Sequence, residues 1–186
     1  MNILGFLGRS RAFERSLGES RPRLYRLAYS WCRNRMVAED IVHETLSKAL
    51  AQSGQLRDLA ALHGWLLAIM ANCWKDHYRN RRETEDIDEI GDALASGDAG
   101  PDDDYEQSQI VRRVREAISR LPVGQRQVIT LVDLEECSYA DVAAILGIPI
   151  GTVMSRLSRA RIALREMLQE LQEVAGAARG KLERVK

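Results

Sequence analysis

Apolar residues recur three and four positions apart along most of the chain, the spacing that places side chains on one face of an α-helix. Three such stretches occupy the first half of the sequence. The first begins near Pro22, the second runs from Val37 to Ala49, and the third extends from about Asp58 to Arg82. Further helical patterns follow in the last part of the chain. The pattern therefore predicts an all-α fold.

The composition changes abruptly between residues 83 and 108. This segment holds 11 Asp/Glu and no Lys/Arg, and three glycines and Pro101 interrupt any helical pattern. Sparse apolar residues and self-repelling charges are typical of a flexible linker. The sequence thus predicts two small helical domains, at residues 21–82 and 109–171. An N-terminal extension (1–20) and a C-terminal tail (172–186) flank them.

The formal net charge of zero hides an uneven distribution. Residues 1–82 carry 14 Lys/Arg against 7 Asp/Glu, and residues 109–186 carry 13 against 9. Both predicted domains are therefore basic, and the linker between them is acidic. Because local charge decides whether a surface attracts phosphate, a nucleic-acid partner is compatible with the neutral total.

The sequence offers little for metal or catalytic chemistry. Its three cysteines are widely spaced, and their odd number favours free thiols in a reducing compartment. Cys73 and His77 lie four residues apart on one predicted helix, but two ligands do not make a metal site. The three histidines lack a partnered nucleophile, and no glycine-rich phosphate loop occurs. We expect no metal, no cofactor and no enzyme activity.

The apolar residues occur in short runs. None approaches the roughly 20 consecutive apolar residues that a membrane-spanning helix needs. The run from Met1 to Gly8 is too short for the core of a signal peptide and has no basic segment before it. We expect a cytoplasmic protein without membrane insertion.

The stretch from Ser138 to Leu168 has the pattern of a helix-turn-helix. Ser138 and Asp141 resemble a capping box at the start of a short helix. Gly147 to Pro149 predicts a tight turn, and a second helix begins near Ile150. The apolar face of that second helix carries Val153, Leu157, Ala160, Leu164 and Leu168.

The polar face of the second helix carries short hydroxyl groups and arginines, namely Thr152, Ser155, Arg156 and Arg159. An α-helix fits the major groove of DNA, arginine binds guanine or phosphate, and hydroxyl groups contact phosphates and base edges at close range. The pattern favours contact with DNA over an exposed basic face that has no partner. A helix-turn-helix alone does not identify the class of DNA-binding protein.

Two separate motifs resemble the extracytoplasmic-function (ECF) subgroup of the sigma-70 family of bacterial RNA polymerase sigma factors. Residues 121–167 read LPVGQRQVITLVDLEECSYADVAAILGIPIGTVMSRLSRARIALREM and resemble the C-terminal DNA-binding domain of that family. Residues 38–50 read AEDIVHETLSKAL and resemble a segment of its first domain, and residues 63–82 resemble the segment that follows it. The resemblance implies a sigma2-like bundle, the acidic linker and a sigma4-like helix-turn-helix domain.

The resemblance also implies a role for particular residues. In the first domain, Asp40, Ile41 and Glu44 match the segment that docks on the clamp helices of the largest polymerase subunit. Exposed acids there suit an arginine-bearing partner. The residues expected to contact the minus-10 promoter element are Asn72, Lys75, Arg79, Arg81 and Arg82.

In the second domain, the residues that match the family's minus-35 contacts are Thr152, Ser155, Arg156 and Arg159. Met154 stands where many members have arginine, which leaves the preferred upstream bases open. The resemblance implies a specificity subunit without catalysis, monomeric when free. Its expected partners are core RNA polymerase (clamp helices and flap), promoter DNA and a cognate anti-sigma factor, with no small-molecule substrate.

Two alternatives remain open from the sequence. A stand-alone helix-turn-helix repressor or activator would normally dimerise and bind a palindromic duplex by itself. A pure interaction module that mimics a sigma factor would not need its DNA-contacting arginines. Arg156, Arg159 and the basic cluster around Arg81 argue against this second alternative.

Overall fold

The computed structural model describes the backbone of residues 3–56, 58–84 and 105–183, and the side chains of residues 11–56, 58–79 and 111–169. Helices dominate this part of the chain, and no strand occurs in it, which confirms the all-α prediction. Most of the expected acidic linker, residues 85–104, lies outside the described residues. The α-helices are α1 (Ile3–Cys32), α2 (Arg35–Ala51), α3 (Leu62–Thr84), α4 (Tyr105–Arg120), α5 (Val123–Ile129), α6 (Tyr139–Leu146) and α7 (Ile150–Glu183).

The helices form two compact units. The first contains α1, α2 and α3 together with Ala140–Ile148, and the second contains α4, α5, Tyr139 and the chain from Pro149 onward. Most of α6 is grouped with the first unit. The domain bounds expected from the sequence stay a prediction.

In the first unit, α1, α2 and α3 pack around one apolar core. Trp31, Ile41, Leu66 and Met70 are fully buried in it. Asn34 caps α2, because its side-chain oxygen accepts a hydrogen bond of 3.1 Å from the Val37 amide. The predicted apolar faces of all three helices thus meet in a common core.

The expected N-terminal extension is part of this first unit. α1 begins at Ile3 and continues through Pro22, so the predicted helix start near Pro22 is wrong. The domain boundary expected at residue 21 stays a prediction. Phe13 is 7% exposed, and its ring centroid lies 6.4 Å from that of Trp65 on α3. Pro22 removes one backbone hydrogen bond, and the helix nevertheless continues across it, with Leu17 before it and Leu24 after it both buried.

In the second unit, α4, α5 and α7 pack around Leu121, Val128, Leu131, Val153 and Leu157, all of which are buried. A π-helical turn, Thr130–Leu134, directly follows α5. α7 continues to Glu183 and therefore passes through the boundary expected at residue 172. The C-terminal tail is helical as far as the described residues extend.

Arg126 joins the end of α4 to α5. Although charged, it is only 6% exposed, and its Nε and Nη2 atoms donate hydrogen bonds of 3.3 and 2.9 Å to the Leu121 carbonyl. The Leu121 carbonyl, which follows the last turn of α4, thereby gains hydrogen-bond donors, and the buried guanidinium gains an acceptor. This arginine is structural, although it lies within the motif that resembles the DNA-binding domain.

The predicted turn before α7 is confirmed. Gly147 has a φ of 64°, the left-handed conformation that favours glycine at the end of a helix. The Ile148 amide donates a hydrogen bond of 3.1 Å to the Ala143 carbonyl, which completes a Schellman motif. The Thr152 amide donates one of 2.8 Å to the Pro149 carbonyl, and α7 begins at Ile150.

No single helix in the described ranges is long and apolar enough to cross a membrane, and only α6 with the first part of α7 passes such a test as a pair, with a bend of 106°.

Candidate nucleic-acid interface

The four α7 residues expected to contact DNA differ in exposure. Ser155 and Arg159 are exposed, whereas Thr152 and Arg156 are half-buried. Arg159 lies along its own helix, because its Nε donates 3.2 Å to the Ser155 carbonyl and its Nη2 donates 3.4 Å to Ser155 Oγ. Among the four, Ser155 and Arg159 are therefore the more accessible to a ligand.

Arg156 lies against the start of α5. A Cβ added to Gly124 would lie 3.0 Å from Arg156 Nη1 and 3.1 Å from its Cζ. The guanidinium therefore occupies the space that a side chain at position 124 would need. Arg156 supports the packing of α7 on α5 and also borders the exposed face.

Further exposed residues share α7 with Ser155 and Arg159. Met154 is 54% exposed, and Ser158 and Ile162 are also exposed. These residues line a groove of about 320 Å³ together with Tyr139, Leu157, Arg161 and Arg165. Sequence reasoning did not select Ser158, although its position three residues after Ser155 places it on a neighbouring part of the same helix face.

Arg161 is fixed by an ion pair within the second unit. Its Nη2 and Nε lie 2.6 and 3.3 Å from the carboxylate oxygens of Asp133, in the π-helical turn. This hydrogen bonding raises the pKa of the Arg161 guanidinium. Arg161 therefore differs from Arg159, whose hydrogen bonds are made with Ser155 of its own helix.

On α2, the expected docking residues divide in the same way. Asp40 and Glu44 are exposed, but Ile41 is 1% exposed and belongs to the core. In this structure Ile41 is a core residue of α2, and its direct contact with a partner stays a prediction. The resemblance of a segment to a family motif does not show this burial, since the segment contains both buried and exposed residues.

On α3, the residues expected to contact the minus-10 element lie on successive turns. Asn72 is exposed, Lys75 is half-buried and Arg79 is 68% exposed. Arg79 Nη2 donates a hydrogen bond of 2.9 Å to Asp76 Oδ1. Arg81 and Arg82 continue the same helix, and their side chains lie outside the described residues.

Aromatic residues connect α3 to the core. Trp74 contacts Trp31 edge-on at 6.3 Å between ring centroids, and Tyr78 lies 4.6 Å from Trp74. Trp31 is fully buried, whereas Trp74 and Tyr78 are half-buried. The three rings thus run from the core to the surface beside Arg79. Trp74 and Tyr78 each have a part packed in the interior and a part exposed at the candidate interface.

Cys73, which lies beneath this surface, is buried. Burial raises the pKa of its thiol, because the charged thiolate is poorly solvated there. No group of three or more His, Cys, Asp or Glu side chains suitable for a metal ion occurs in the part of the chain that the structure describes. Among the described residues, Cys73 and His77 therefore have no third side chain with which to form a metal site.

The chain matches two families of sigma-factor domains. Residues 18–84 match Sigma-70 region 2, and residues 111–164 match Sigma-70, region 4. The first match covers α1 from its middle to the end of α3. The second covers α4 to the first half of α7. Both candidate surfaces therefore lie within the matched regions.

Individual relatives agree with these matches. The ECF RNA polymerase sigma factor EcfG of Rhodopseudomonas palustris is 36% identical over 148 residues, which are 79% of this chain and 80% of that protein. The RNA polymerase sigma-H factor of Pseudomonas aeruginosa is 31% identical over 173 residues, 88% of this chain and 90% of that protein. ECF sigma factor SigE of Mycolicibacterium smegmatis is 34% identical over 148 residues, 78% of this chain but 57% of SigE.

Solved structures show the same fold. The sigma factor RpoE of Bartonella quintana, in complex with the anti-sigma factor NepR, superposes with a TM-score of 0.71 at 32% identity and covers 86% of this chain and 98% of its own. CnrH, in complex with the cytosolic domain of CnrY, gives a TM-score of 0.57 at 24% identity over 87% of this chain and 90% of its own. The chain belongs to the ECF subgroup of the sigma-70 family of RNA polymerase sigma factors, which direct transcription and are not a family of enzymes.

Proposed function

We propose that this protein binds core RNA polymerase and selects promoters through contacts with the minus-10 and minus-35 elements. The observation that carries the proposal is the exposed pair of Ser155 and Arg159 on α7, directly after the glycine turn of a helix-turn-helix. The matching of this helix to Sigma-70, region 4 supports the same assignment. The chemistry of RNA synthesis belongs to the polymerase.

For the minus-35 element, α7 enters the major groove of duplex DNA. Arg159 is free to leave Ser155 for a base edge or a phosphate, because its contacts with its own helix are exposed and at the long end of hydrogen-bond distances. Ser155 contacts DNA beside it. Thr152 and Arg156 lie at the flank, where half-buried side chains suit phosphates better than base edges.

For the minus-10 element, α3 presents Asn72, Lys75 and Arg79 to the separated DNA strands. The amide of Asn72 can pair with the edge of an unstacked base, and the two cations suit the phosphate backbone. Arg81 and Arg82 extend the basic charge of the sequence toward the end of the helix. Trp74 and Tyr78 support this surface from the core side.

For docking on polymerase, Asp40 and Glu44 form the exposed acidic part of α2, and Ile41 fixes the helix from below. Acidic side chains suit a basic surface such as the clamp helices of the largest subunit. The second unit completes the attachment at the polymerase flap. In the free state we expect a monomer in the cytoplasm, where polymerase and chromosome are accessible.

A cognate anti-sigma factor is also part of the proposal. The Bartonella quintana relative was crystallised with the anti-sigma factor NepR, and the structural match covers 86% of this chain. A protein inhibitor of that kind would compete with polymerase or DNA for the faces described above. No small-molecule substrate is included in this function.

Run-off transcription with purified core polymerase tests the two DNA contacts separately. Templates carry an intact promoter, a scrambled minus-35 element or a scrambled minus-10 element. An Arg156→Ala, Arg159→Ala double variant should lose the starts that depend on the minus-35 element, and Arg112→Ala, an exposed arginine of α4, serves as the matched control. If the wild type binds a defined duplex tightly without polymerase and gives core no promoter activity, the stand-alone regulator is the correct reading.

A further inference from the structure

Four charged side chains form an ionic chain across α2 and α3, namely Glu44, Lys48, Asp76 and Arg79. Lys48 Nζ lies 2.8 Å from Glu44 Oε1, one turn earlier on α2, and 3.8 Å from Asp76 Oδ2 on α3. Asp76 Oδ1 accepts a hydrogen bond of 2.9 Å from Arg79 Nη2. The ionic chain begins at a proposed docking residue and ends at a proposed DNA-binding residue.

The distances show which partner each charge favours. Lys48 binds Glu44 closely, and the hydrogen bond to Glu44 raises the pKa of Lys48. Asp76 lies 2.9 Å from Arg79 but 3.8 Å from Lys48, so Arg79 is its closer partner. A guanidinium that is held by a carboxylate on its own helix has fewer donors available for a DNA phosphate.

We propose that the ionic chain couples polymerase docking to DNA binding, with Asp76 as the positioning residue that restrains Arg79 until Glu44 is engaged. This inference rests on the function proposed above. A basic partner that binds Glu44 releases Lys48, which then turns to Asp76. Asp76 binds Arg79 less tightly as a result, and Arg79 becomes available to DNA. Because coupling of two binding events is reciprocal, bound DNA also favours docking.

The coupling is modest, because its ion pairs are exposed. The side chains of Lys48, Glu44 and Asp76 are 38%, 46% and 41% exposed. Exposed pairs of this kind change an affinity by roughly two- to threefold. Salt screens them, so the coupling is strongest at low ionic strength. A convincing test therefore compares matched variants under identical low-salt conditions.

Fluorescence anisotropy measures the affinity of the full chain for single-stranded DNA in the absence of polymerase, and this affinity depends on how available Arg79 is. The probe is a fluorescein-labelled single-stranded oligodeoxynucleotide. Glu44→Gln mimics an engaged Glu44, because the neutral amide no longer holds Lys48, and we expect it to tighten binding about two- to threefold. The matched control is Glu39→Gln, which removes the same charge from an exposed position on α2 outside the ionic chain. We expect a smaller change from the control.

Two further variants test whether the effect of Glu44→Gln passes through Lys48 and Arg79. In Lys48→Met and in Arg79→Ala proteins, the excess effect of Glu44→Gln over Glu39→Gln should disappear. Equal effects of the two glutamine variants, or an excess that persists without Arg79, overturn the coupling. If Arg79→Ala binds the oligonucleotide as tightly as the wild type, the proposed role of Arg79 fails as well. If Arg79→Ala binds the oligonucleotide more weakly than the wild type, but Glu44→Gln and Glu39→Gln have equal effects in the otherwise wild-type chain, the coupling alone is overturned.

Discussion

The guanidinium of Arg156 on α7 occupies the space over Gly124 on α5, where an added Cβ would lie 3.0 Å from Nη1. α7, which we propose as the recognition helix, thus contacts α5 through a side chain that the sequence predicts as a DNA contact. The position of α7 and the availability of Arg156 are consequently coupled, because one guanidinium serves both.

Replacement of Gly124 by alanine tests this contact. The new methyl group should displace the flexible end of Arg156, while folding stability changes by no more than about 1 kcal/mol, because alanine is the better helix former. We expect minus-35-dependent transcription to fall roughly threefold, as one charged contact is weakened without being lost. In an Arg156→Ala background, Gly124→Ala should have no further effect on transcription. An undiminished effect in that background would contradict the contact.

Removal of the buried Arg126 side chain should destabilise the second unit. Arg126→Met leaves the Leu121 carbonyl without its two hydrogen bonds, and we expect a loss of about 2 to 3 kcal/mol in the free energy of unfolding. Arg120→Ala is the control, since it breaks only an exposed pair with Glu116 and should cost about 0.5 kcal/mol or less. Urea denaturation followed by circular dichroism compares them. Similar losses for both variants would show that Arg126 is not structural.

The N-terminal turns of α1 should contribute to stability. Phe13→Ala removes a buried ring that contacts Trp65, and we expect a loss of about 3 kcal/mol or more. Met36→Ala, at a position that is 75% exposed, should have little effect. Thermal denaturation of the two variants checks this expectation. If Phe13→Ala and Met36→Ala have the same melting temperature, the first turns of α1 are not part of the packed unit.

The buried thiol of Cys73 should make the folding stability depend on pH in the alkaline range. Burial raises the pKa of Cys73, so the folded chain keeps this thiol protonated at a pH where the unfolded chain has begun to lose the proton. The corresponding stability is present below the ordinary thiol pKa of about 8.5 and declines as the pH rises from there toward the folded pKa. Cys73→Ala should remove this part of the decline. Unfolding curves between neutral and alkaline pH measure the difference, and parallel declines would contradict the shift.

The same burial predicts slow alkylation. Iodoacetamide reacts with thiolates, so Cys73 should be modified more slowly than the half-buried Cys32 and Cys137 in the folded protein. Peptide mapping by mass spectrometry after brief exposure at mildly alkaline pH measures the three rates. Cys73 modified as fast as the others would mean that this site opens readily.

Local patterns were the most predictable part of the fold. The glycine turn at Gly147 and the start of α7 at Ile150 follow from short-range rules, because a left-handed residue and a proline restrict the backbone directly. Pro22 has the opposite outcome. A proline favours a helix start, but α1 continues across Pro22, and Phe13 before it and Leu24 after it are both buried.

The candidate site was predicted as a set of residues, and the structure divides that set. Periodicity places Ile41 near Asp40 and Glu44, but only packing shows that Ile41 faces the core. Spacing alone likewise does not separate the half-buried Arg156 from the exposed Arg159.

Transcription initiation by purified core RNA polymerase on a library of promoter fragments, with and without this protein, tests the sigma-factor function most directly. We expect the added chain to produce specific start sites whose upstream sequences share a minus-35 and a minus-10 element. Core polymerase that gains no specific starts, while the protein alone binds a defined duplex tightly, would contradict it.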